Sequence, residues 1–362
     1  MVKPGLEIPF NVSLPITPDY VYIISEVTLA IFSAVGNMFV LVVFCKFREL
    51  RTVTNYYVIS LAVADFLVGL IGIPFAIVVF VGLPKNFEAC LFMGSLLMLL
   101  CTGSIFSLVA VSIDRYIAII HPLSYPRIMS PLTALLIIIS CWILAALIGI
   151  LPVLGWNRGR PPVPRCFFLE VIDTKYLVFI YFVTIIAPVI FISGVYIRIY
   201  QEVRRQVWHI NATKYRTANG ASTAPSFDHT ETKAAKSIGL ILVLFLISWI
   251  PLYTINTVMF FCPGCDIPGP LLTVAIILSH ANSAWNPLLY AWVLRNFRNC
   301  LKKLLRSCFI TKTLLESERF AFGTSSSKGQ SSSIWDRETT FYAACTAVPS
   351  TGKMKKHVAV DR

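Results

Sequence analysis

Seven long runs of apolar residues, separated by short polar segments, dominate the pattern of the chain. Each run is about 20 residues or longer, which is enough to cross roughly 30 Å of hydrocarbon as a helix. Backbone groups in lipid must find their hydrogen bonds within the same segment, so we expect helices. The pattern therefore predicts an all-α membrane protein, a bundle of seven transmembrane helices. The runs lie near residues 20–46, 55–81, 89–121, 131–153, 174–203, 233–261 and 268–292.

Composition divides the chain further. Of its 362 residues, 56% are hydrophobic and only 14% are charged, which is too little polar surface for a soluble protein of this length. We expect an extracellular N-terminus over 1–19, a seven-helix domain over 20–293 and a short amphipathic eighth helix over 294–307. Residues 308–362 change to a composition rich in Ser, Thr and Lys, which predicts a flexible cytoplasmic tail.

Basic residues indicate the orientation in the membrane. Lys and Arg concentrate after the first, third, fifth and seventh runs, and basic residues resist translocation, so these segments should be cytoplasmic. The net charge of +13 then indicates anionic membrane lipid and a protein partner at the inner face, and no nucleic acid. We expect a multi-pass protein of the plasma membrane with its N-terminus outside, where the sequon at Asn11 is a glycosylation site.

Four of the ten cysteines fall on the oxidising side of such a bundle. Cys90 begins the third helix and Cys166 lies in the second outer loop, so a disulfide between them would tie that loop over the mouth of the bundle. Cys262 and Cys265 form Cys-Pro-Gly-Cys in the third outer loop, where an intraloop disulfide is favoured over a redox or zinc site.

An ionisable side chain inside a span is energetically costly and indicates function. Asp65 lies in the middle of the second helix, and oxygens from other helices, including those of Ser104 and Asn282, can surround it. A sodium-binding pocket is the favoured interpretation, and no other cofactor is expected. The alternative is a protonated Asp65 in a structural hydrogen-bond network.

A second charged group lies at the inner end of the third helix. Asp114-Arg115-Tyr116 places an acid beside an arginine, and Glu231 at the inner start of helix 6 is the nearest acid on another helix. Arg115 held by Glu231 would keep helix 6 inward, and a released Arg115 could face a partner. The alternative is an interfacial arginine that extends to water.

These residues belong to a wider pattern of short motifs along the apolar runs. The pattern consists of Gly36-Asn37, Leu61-Ala62-Val63-Ala64-Asp65, Asp114-Arg115-Tyr116, Trp142, Pro188 with Tyr196, Trp249-Ile250-Pro251 and Asn286-Pro287-Leu288-Leu289-Tyr290. Its three prolines each free a backbone carbonyl and bend a helix. The pattern resembles that of the rhodopsin-like G-protein-coupled receptors. The resemblance implies a receptor, not an enzyme, that passes ligand binding to a G protein docked in a cavity near Arg115, Tyr196 and Tyr290.

Single positions narrow the class of ligand. Amine receptors keep a carboxylate where this chain has Leu97, and opsins need a lysine where His280 stands. Neither a protonated amine nor retinal is therefore the expected ligand. Ser279-His280-Ala281-Asn282-Ser283, together with Asn256, Phe168 and Gly155-Trp156-Asn157, resembles an adenosine receptor, and a Cys-x-x-Cys third outer loop also occurs in that family.

The resemblance implies a binding mode. Phe168 would stack on a purine ring, Asn256 would make two hydrogen bonds to the base edge, and Ser279 with His280 would hold the ribose hydroxyls. Glu26 is expected beside His280, and the alternative for this pair is a structural bridge between helices 1 and 7. The other residues expected at the ligand are Leu97, Met98, Cys101, Trp249 and Tyr253.

Several positions depart from the usual adenosine-receptor pattern. Leu169 stands where a glutamate is common, and Cys101 with Thr102 replaces a Thr-Gln or Thr-His pair, which removes a hydroxyl near the ribose end. Tyr181 replaces a small polar residue of helix 5, and Tyr253 replaces a histidine or serine of helix 6.

Adenosine or a related purine is the favoured ligand. The open alternative is an orphan receptor with another small ligand or with constitutive activity. A transporter or channel is disfavoured because the sequence shows no internal repeats with interrupted helices, and a membrane enzyme is disfavoured because His280 lacks a second histidine or a carboxylate pair beyond Glu26.

The signalling side gives further expectations. Leu169 and Ser248-Trp249 resemble a subtype that couples to the inhibitory class of G protein. Ser and Thr residues over 324–333 are candidate sites for a receptor kinase and hence for arrestin recruitment. We expect helix 8 to place Phe297 and its leucines in lipid, with Cys300 or Cys308 as the palmitoylation site.

Overall fold

A computed structural model describes residues 20–217, 229–262, 265–293 and 296–307, with all side chains in these ranges except 206–207, 209–239, 241–242 and 293. The described residues form a helical bundle, and the predicted fold class is confirmed. Its helices are α1 (Tyr20–Lys46), α2 (Val53–Leu67, Val68–Gly72 and Ile73–Phe80), α3 (Phe87–Ile120), α4 (Pro131–Ile150), α5 (Thr174–Ile180, Tyr181–Ile186 and Ala187–Thr217), α6 (His229–Phe261), α7 (Gly269–Val293) and α8 (296–307).

Six of these helices, α1 to α6, contain a segment that is long and apolar enough to cross a membrane. The remaining long helix, α7, is less apolar because its second half carries a series of buried polar residues. Those residues face the interior of the bundle and not lipid, which is where polar groups belong in a membrane protein. They are Ser279, His280, Asn282, Ser283 and Asn286.

Two helices contain a π-helical segment, Val68–Gly72 in α2 and Tyr181–Ile186 in α5. A π turn adds a residue to the helix and so rotates the side chains that follow, and such turns are frequent at functional sites. In α5 the segment begins at Tyr181, whose ring stacks on that of Tyr253 in α6. The π segment thus determines which α5 side chains reach the bundle interior.

The helix ends differ from the apolar runs at several places. Helix α4 ends at Ile150, and the apolar residues up to 153 form turns. Helices α5 and α6 continue into polar sequence, to Thr217 and from His229 respectively. Hydropathy marks only the part of a helix that lies in lipid, whereas good helix-forming residues extend it into water.

Helix α3 lies at the centre of the bundle, packed against α2, α4 and α5. Helix α1 packs against α2 and α7, and α6 packs against α5 and α7. Glycine permits the closest approach between α3 and α4, since a Cβ added to Gly149 would lie only 2.7 Å from the Cβ of Leu99. Helix α3 therefore contributes side chains both to the outer cavity and to the inner end of the bundle.

Two disulfides mark what we call the outer end of the bundle; the opposite end, which carries Arg115, is the inner end. Cys90 and Cys166 are bonded, with their Cα atoms 5.7 Å apart, and this bond attaches the second outer loop to α3. An isolated backbone bridge between Gly82 and Cys166 holds the same loop to the end of α2. Cys262 and Cys265 are also bonded. The loop residues after Cys166 therefore lie in a fixed position across the mouth of the bundle.

Helix α8 corrects one expectation. Phe297 is buried at 2% exposure and, with Leu304, packs against α1, α2 and α7, so the prediction that it lies in lipid is wrong. Cys300 is buried in the same cluster, while Leu305 is exposed. The apolar face of α8 therefore meets the bundle and not lipid. Asn11, Cys308, the tail and the side chain of Glu231 lie outside the described residues.

Candidate ligand-binding site and switch

A cavity opens at the outer end of the bundle, beneath the disulfide-bonded loop. It contains about 1250 Å³ of space free of protein atoms, counting its open mouth. All of the expected ligand residues except Glu26 line it. They are Leu97, Met98 and Cys101 of α3, Phe168 of the loop, Trp249, Tyr253 and Asn256 of α6, and Ser279 and His280 of α7.

Phe168 forms part of the wall of this cavity on the loop side. It begins a single helical turn, Phe168–Val171, two residues after the disulfide at Cys166. Its ring lies over Gly94 of α3, where an added Cβ would be 3.5 Å from the ring atom Cε2. The short tether to Cys166 and the missing side chain at Gly94 together hold a flat aromatic surface over the cavity.

The polar groups of the cavity lie mainly on α6 and α7. Asn256 presents an amide with both a donor and an acceptor. Ser279 donates its hydroxyl proton to the Ile276 carbonyl (2.7 Å), which leaves the hydroxyl oxygen as an acceptor. Thr273 also lines this side. A ligand with a polar edge would therefore direct that edge toward α6 and α7.

Glu26 lies behind His280 and does not line the cavity. The Nδ1 atom of His280 is 2.9 Å and 3.0 Å from the two carboxylate oxygens of Glu26, and both side chains are buried. A carboxylate that accepts from Nδ1–H fixes the orientation of the ring, so Nε2 is the nitrogen left for a ligand. Glu26 thus acts through His280.

The deep end of the cavity is apolar and aromatic. Tyr253 stacks on Tyr181, with ring centroids 5.3 Å apart and an angle of 14° between the planes, and its centroid is 5.8 Å from that of Trp249. Leu97, Met98 and Cys101 form the facing wall. Among the positions that depart from the adenosine-receptor pattern, Cys101 and Tyr253 thus line this end of the cavity, and Tyr181 packs against Tyr253.

Sequence reasoning missed a group of aromatic residues on the α1 and α2 side. Tyr22 and Phe80 line the cavity with ring centroids 4.0 Å apart, and Phe75 and Phe167 also line it. The only signal available was an aromatic residue near the outer end of an apolar run. Such residues are equally frequent where a span meets the lipid headgroups, so the signal could not distinguish the two positions.

Asp65 is fully buried within a polar cluster deeper in the bundle. Ser104 donates to its Oδ1 (2.8 Å) and Asn286 donates to its Oδ2 (2.6 Å). Asn37 donates to the backbone carbonyls of Ser33 and Ser283, while its own side-chain oxygen is buried without a partner among the described residues. The expected contact with Ser104 is present. The α7 amide that reaches Asp65 is Asn286, not Asn282.

Arg115 is held at the inner end by its neighbours. Its Nη2 and Nε atoms donate to Oδ2 of Asp114 (2.7 Å and 3.0 Å), and it also donates to Thr54 of α2. Tyr125, in the loop after α3, donates to Oδ1 of the same carboxylate (2.7 Å). Burial raises the pKa of Tyr125, so its hydroxyl keeps the proton that it donates. In this structure Asp114 is therefore the anionic partner of Arg115, and the pairing with Glu231 stays a prediction.

The other expected switch residues connect α3, α5 and α7 to their neighbours. Tyr116 packs in an apolar cluster with Val195, Ile199 and Val203 of α5. Tyr290, which follows Pro287 in α7, is buried and contacts the ring of Phe297 in α8. Tyr196 is half-buried on α5. These contacts join the inner ends of the helices that a docking partner would meet.

Comparison with known proteins agrees with this architecture. Residues 36–290 match the model of the 7 transmembrane receptor (rhodopsin family). The chain belongs to that family. It is 38% identical to adenosine receptor A2a of Homo sapiens over 328 residues, which are 86% of this chain and 78% of that receptor. It is also 38% identical to the A2a receptor of Equus caballus (81% and 74% covered) and 37% identical to that of Cavia porcellus (79% and 73% covered).

Membership of the rhodopsin family establishes the general role of the chain. It is a signalling receptor and not an enzyme, and it lies in the plasma membrane as a multi-pass protein. Its partners are a small-molecule ligand and a heterotrimeric G protein. The resemblance to adenosine receptors extends over most of the chain, so the predicted relationship is confirmed.

Proposed function

We propose that the receptor binds adenosine or a related purine in the outer cavity. The observation that carries this proposal is the convergence of Phe168, Asn256, Ser279 and His280, from a loop and two helices, on one cavity. A flat neutral heterocycle that bears hydroxyl groups needs an aromatic surface, an amide and a polar floor, and these side chains supply them. The relatives named above are adenosine receptors by name.

The deep end of the cavity favours a purine that is less polar there than adenosine itself. Cys101 presents a thiol, a weak hydrogen-bonding group, where the family pattern has a hydroxyl. Tyr253 stacks on Tyr181, lies at a tilt beside Trp249 and fills space with its ring. A purine that carries an apolar group on this side would lose less hydrogen bonding on binding than one with several hydroxyls.

In the proposed orientation the outer end is extracellular and the inner end is cytoplasmic. The two disulfides lie at the outer end, which suits the oxidising side of the membrane. Activation would release Arg115 from Asp114 and open the inner end to a G-protein helix. We propose the inhibitory class, on the sequence features Leu169 and Ser248-Trp249, so ligand should lower cyclic AMP.

Other proposed partners and modifications follow the same orientation. Asn11 would be glycosylated, and Ser and Thr residues over 324–333 would be phosphorylated by a receptor kinase and bind arrestin. Because the side chain of Cys300 is packed between α8 and the bundle, we propose Cys308 as the palmitoylated cysteine. The oxygens around Asp65 suit a hard cation, so we propose sodium as an allosteric ligand there.

The test is cyclic AMP in cells that express the receptor, with and without adenosine, compared with an Asn256→Ala variant at the same surface level. Loss of two hydrogen bonds to the base should weaken potency roughly tenfold to a hundredfold. Thr257→Ala is the matched control, since Thr257 is the next residue of α6 and donates only to the Tyr253 carbonyl (2.8 Å).

The outcomes separate the proposal from its main alternative. A fall in cyclic AMP that keeps its potency in Thr257→Ala and needs a much higher adenosine concentration in Asn256→Ala supports a purine in the cavity and coupling to the inhibitory class. A rise that shows the same dependence keeps the purine and overturns the inhibitory class. A receptor that reaches the surface, shows basal G-protein activity and ignores purines at every dose would instead be an orphan receptor with a different ligand.

A further inference from the structure

A second cavity lies on the side of the bundle that faces lipid, near the inner end. We call it the α3–α5 groove. It contains about 800 Å³ of space, counting its open side. Two of its residues, Ile190 at 68% exposure and Phe191 at 44%, point out of the protein within a membrane span, so the groove opens into hydrocarbon. It is lined by Ile113 and Tyr116 of α3 and by Ile190, Phe191, Gly194 and Arg198 of α5.

Gly194 keeps the groove open. A Cβ added at this glycine would meet no atom within 4 Å, so no close contact requires a glycine here. A glycine inside a helix is less favourable than alanine. This glycine therefore contributes an empty wall to the groove at the expense of helix stability. The space beside Gly194 is free of protein atoms, so an acyl chain can lie against the helix there.

Arg198 gives the groove a charged end. It lies one helical turn beyond Gly194 toward the inner end, and it is exposed. No carboxylate among the described residues lies within 4 Å of its guanidinium. An arginine at a membrane boundary lays its apolar stem along the protein and extends its charge to the headgroups. A guanidinium pairs especially well with a phosphate, which it can bind through two hydrogen bonds.

We propose that the α3–α5 groove binds one anionic phospholipid, with an acyl chain over Gly194 and the net negative headgroup at Arg198. An apolar groove that ends in an arginine with no carboxylate partner among the described side chains matches a molecule with a long tail and a negative head. The proposal goes beyond the purine site, which lies at the opposite end of the bundle. Because Tyr116 lines the groove and is the neighbour of Arg115, the lipid would contact the segment that carries the switch.

The experiment uses purified full-length receptor in detergent and native mass spectrometry. Phosphatidylserine and phosphatidylcholine with identical chains are titrated separately. The receptor should bind one phosphatidylserine with about fivefold higher affinity than phosphatidylcholine, the factor that one interfacial arginine contributes. Arg198→Gln should remove that preference. Gly194→Leu should fill the groove and weaken the binding of both lipids, with Gly194→Ala intermediate.

Arg204→Gln is the matched control. Arg204 is on the same helix, and its guanidinium lies over the ring of Tyr200 at 5.8 Å and not at the groove. Phosphatidylserine binding should be unchanged in this variant. Binding that falls equally in Arg204→Gln and Arg198→Gln would show a general attraction to basic residues and would overturn the proposal.

A photoreactive phosphatidylserine, with the reactive group in its acyl chain, gives a test on the unchanged protein. Cross-links should fall on the α5 segment around Ile190 and Phe191. Cross-links confined to α8 or to other helices would overturn the proposal, as would equal affinity for the two lipids. Displacement of the label by cholesterol alone would assign the groove to a sterol. Neither measurement depends on the purine ligand or on the orientation of the receptor in a cell.

Discussion

His280 in α7 and Glu26 in α1 form a buried pair, with the imidazole Nδ1 atom 2.9 Å and 3.0 Å from the two carboxylate oxygens. They are 254 positions apart in sequence, and the pair joins the first and last transmembrane helices directly beside the ligand cavity. The sequence left two interpretations open, a part of the ligand site and a structural bridge. The geometry combines the two interpretations, because His280 lines the cavity and Glu26, which does not, orients the His280 ring.

Removing one partner of this pair should destabilise the receptor. Glu26→Ala leaves the His280 ring without its acceptor in a buried site, at a cost of about 1–3 kcal/mol. Thermal unfolding of purified receptor should therefore occur at lower temperature in Glu26→Ala and in His280→Ala. The double variant should lose less than the sum of the two single variants, since the residues share one interaction.

Glu26→Gln is the control that separates the orientation of the His280 ring from the effect of the negative charge on Glu26. Its amide oxygen can still accept from Nδ1, so stability should fall less than in Glu26→Ala. Ligand affinity should then follow stability across the series if Glu26 acts by orienting His280. A Glu26→Ala variant as stable as the unchanged receptor, with normal ligand affinity, would contradict both roles.

The contacts of Asp114 predict how basal signalling is restrained. Asp114 holds Arg115 and accepts from Tyr125, so Asp114→Asn weakens the ion pair and frees the guanidinium. Loss of a charge-assisted bond of this kind shifts a two-state equilibrium by about tenfold or more. Basal G-protein activity per surface receptor should rise in Asp114→Asn, and more weakly in Tyr125→Phe.

Tyr57→Phe provides the comparison for this prediction. It removes a hydroxyl from the same region, one that donates to Met129 Sδ and not to Asp114. Basal activity should stay at the level of the unchanged receptor. An increase in Tyr57→Phe as large as in Tyr125→Phe would show that loosening of the inner end, and not release of Arg115, raises the activity.

Residue pattern predicted the fold because hydrophobicity in a membrane protein reports burial in lipid directly. It could not choose between neighbours on one helix face. Asn282 and Asn286 are four residues apart, so both lie on the same side of α7, and only the offset between α7 and α2 places Asn286 at Asp65. The prediction that Phe297 lies in lipid was wrong for a similar reason. An amphipathic pattern identifies an apolar face but not whether lipid or protein covers it.

The ligand-binding site was predictable only in part. Whether a residue could be predicted depended on its chemical type. His280 was identifiable because an ionisable group in an apolar run is unusual, whereas Asn256 and Ser279 were identified only through the resemblance to adenosine receptors. Tyr22 and Phe80 were not, because aromatic residues at the ends of spans are common. The role of Gly94 under Phe168 also needed the structure, since it depends on the distance between a loop and α3.

Sodium should stabilise the receptor through Asp65. If sodium binds only the folded receptor, a concentration ten times its dissociation constant adds about 1.4 kcal/mol to the free energy of unfolding. Thermal unfolding should shift upward in sodium chloride relative to the same concentration of choline chloride. Asp65→Asn should abolish the difference between the salts, since it removes the negative ligand.

Ser60→Ala is the control for sodium, because Ser60 bonds to Ser107 and to the indole of Trp142, outside the Asp65 contacts. The difference between the salts should persist in it. If the unchanged receptor shows no difference between sodium and choline, Asp65 belongs to a structural hydrogen-bond network in its protonated form, which was the alternative interpretation.

Replacing Cys101 by threonine should increase the potency of adenosine. Cys101 lines the cavity on α3, where the adenosine-receptor pattern has a hydroxyl near the ribose end. Cys101→Thr restores that hydroxyl with little change in volume. One added hydrogen bond to a ribose hydroxyl should raise adenosine potency about threefold to tenfold in the cyclic AMP assay.

Two further variants divide the effect of Cys101→Thr between its hydroxyl and its methyl group. Cys101→Ser carries the hydroxyl alone and should share the increase, whereas Cys101→Val carries the methyl groups alone and should not. A 2′,3′-dideoxy analogue of adenosine should gain nothing from Cys101→Thr if the new bond is to those hydroxyls. An equal increase in the Val variant would show that cavity shape limits potency, and the ribose end would then have to be placed elsewhere in the cavity.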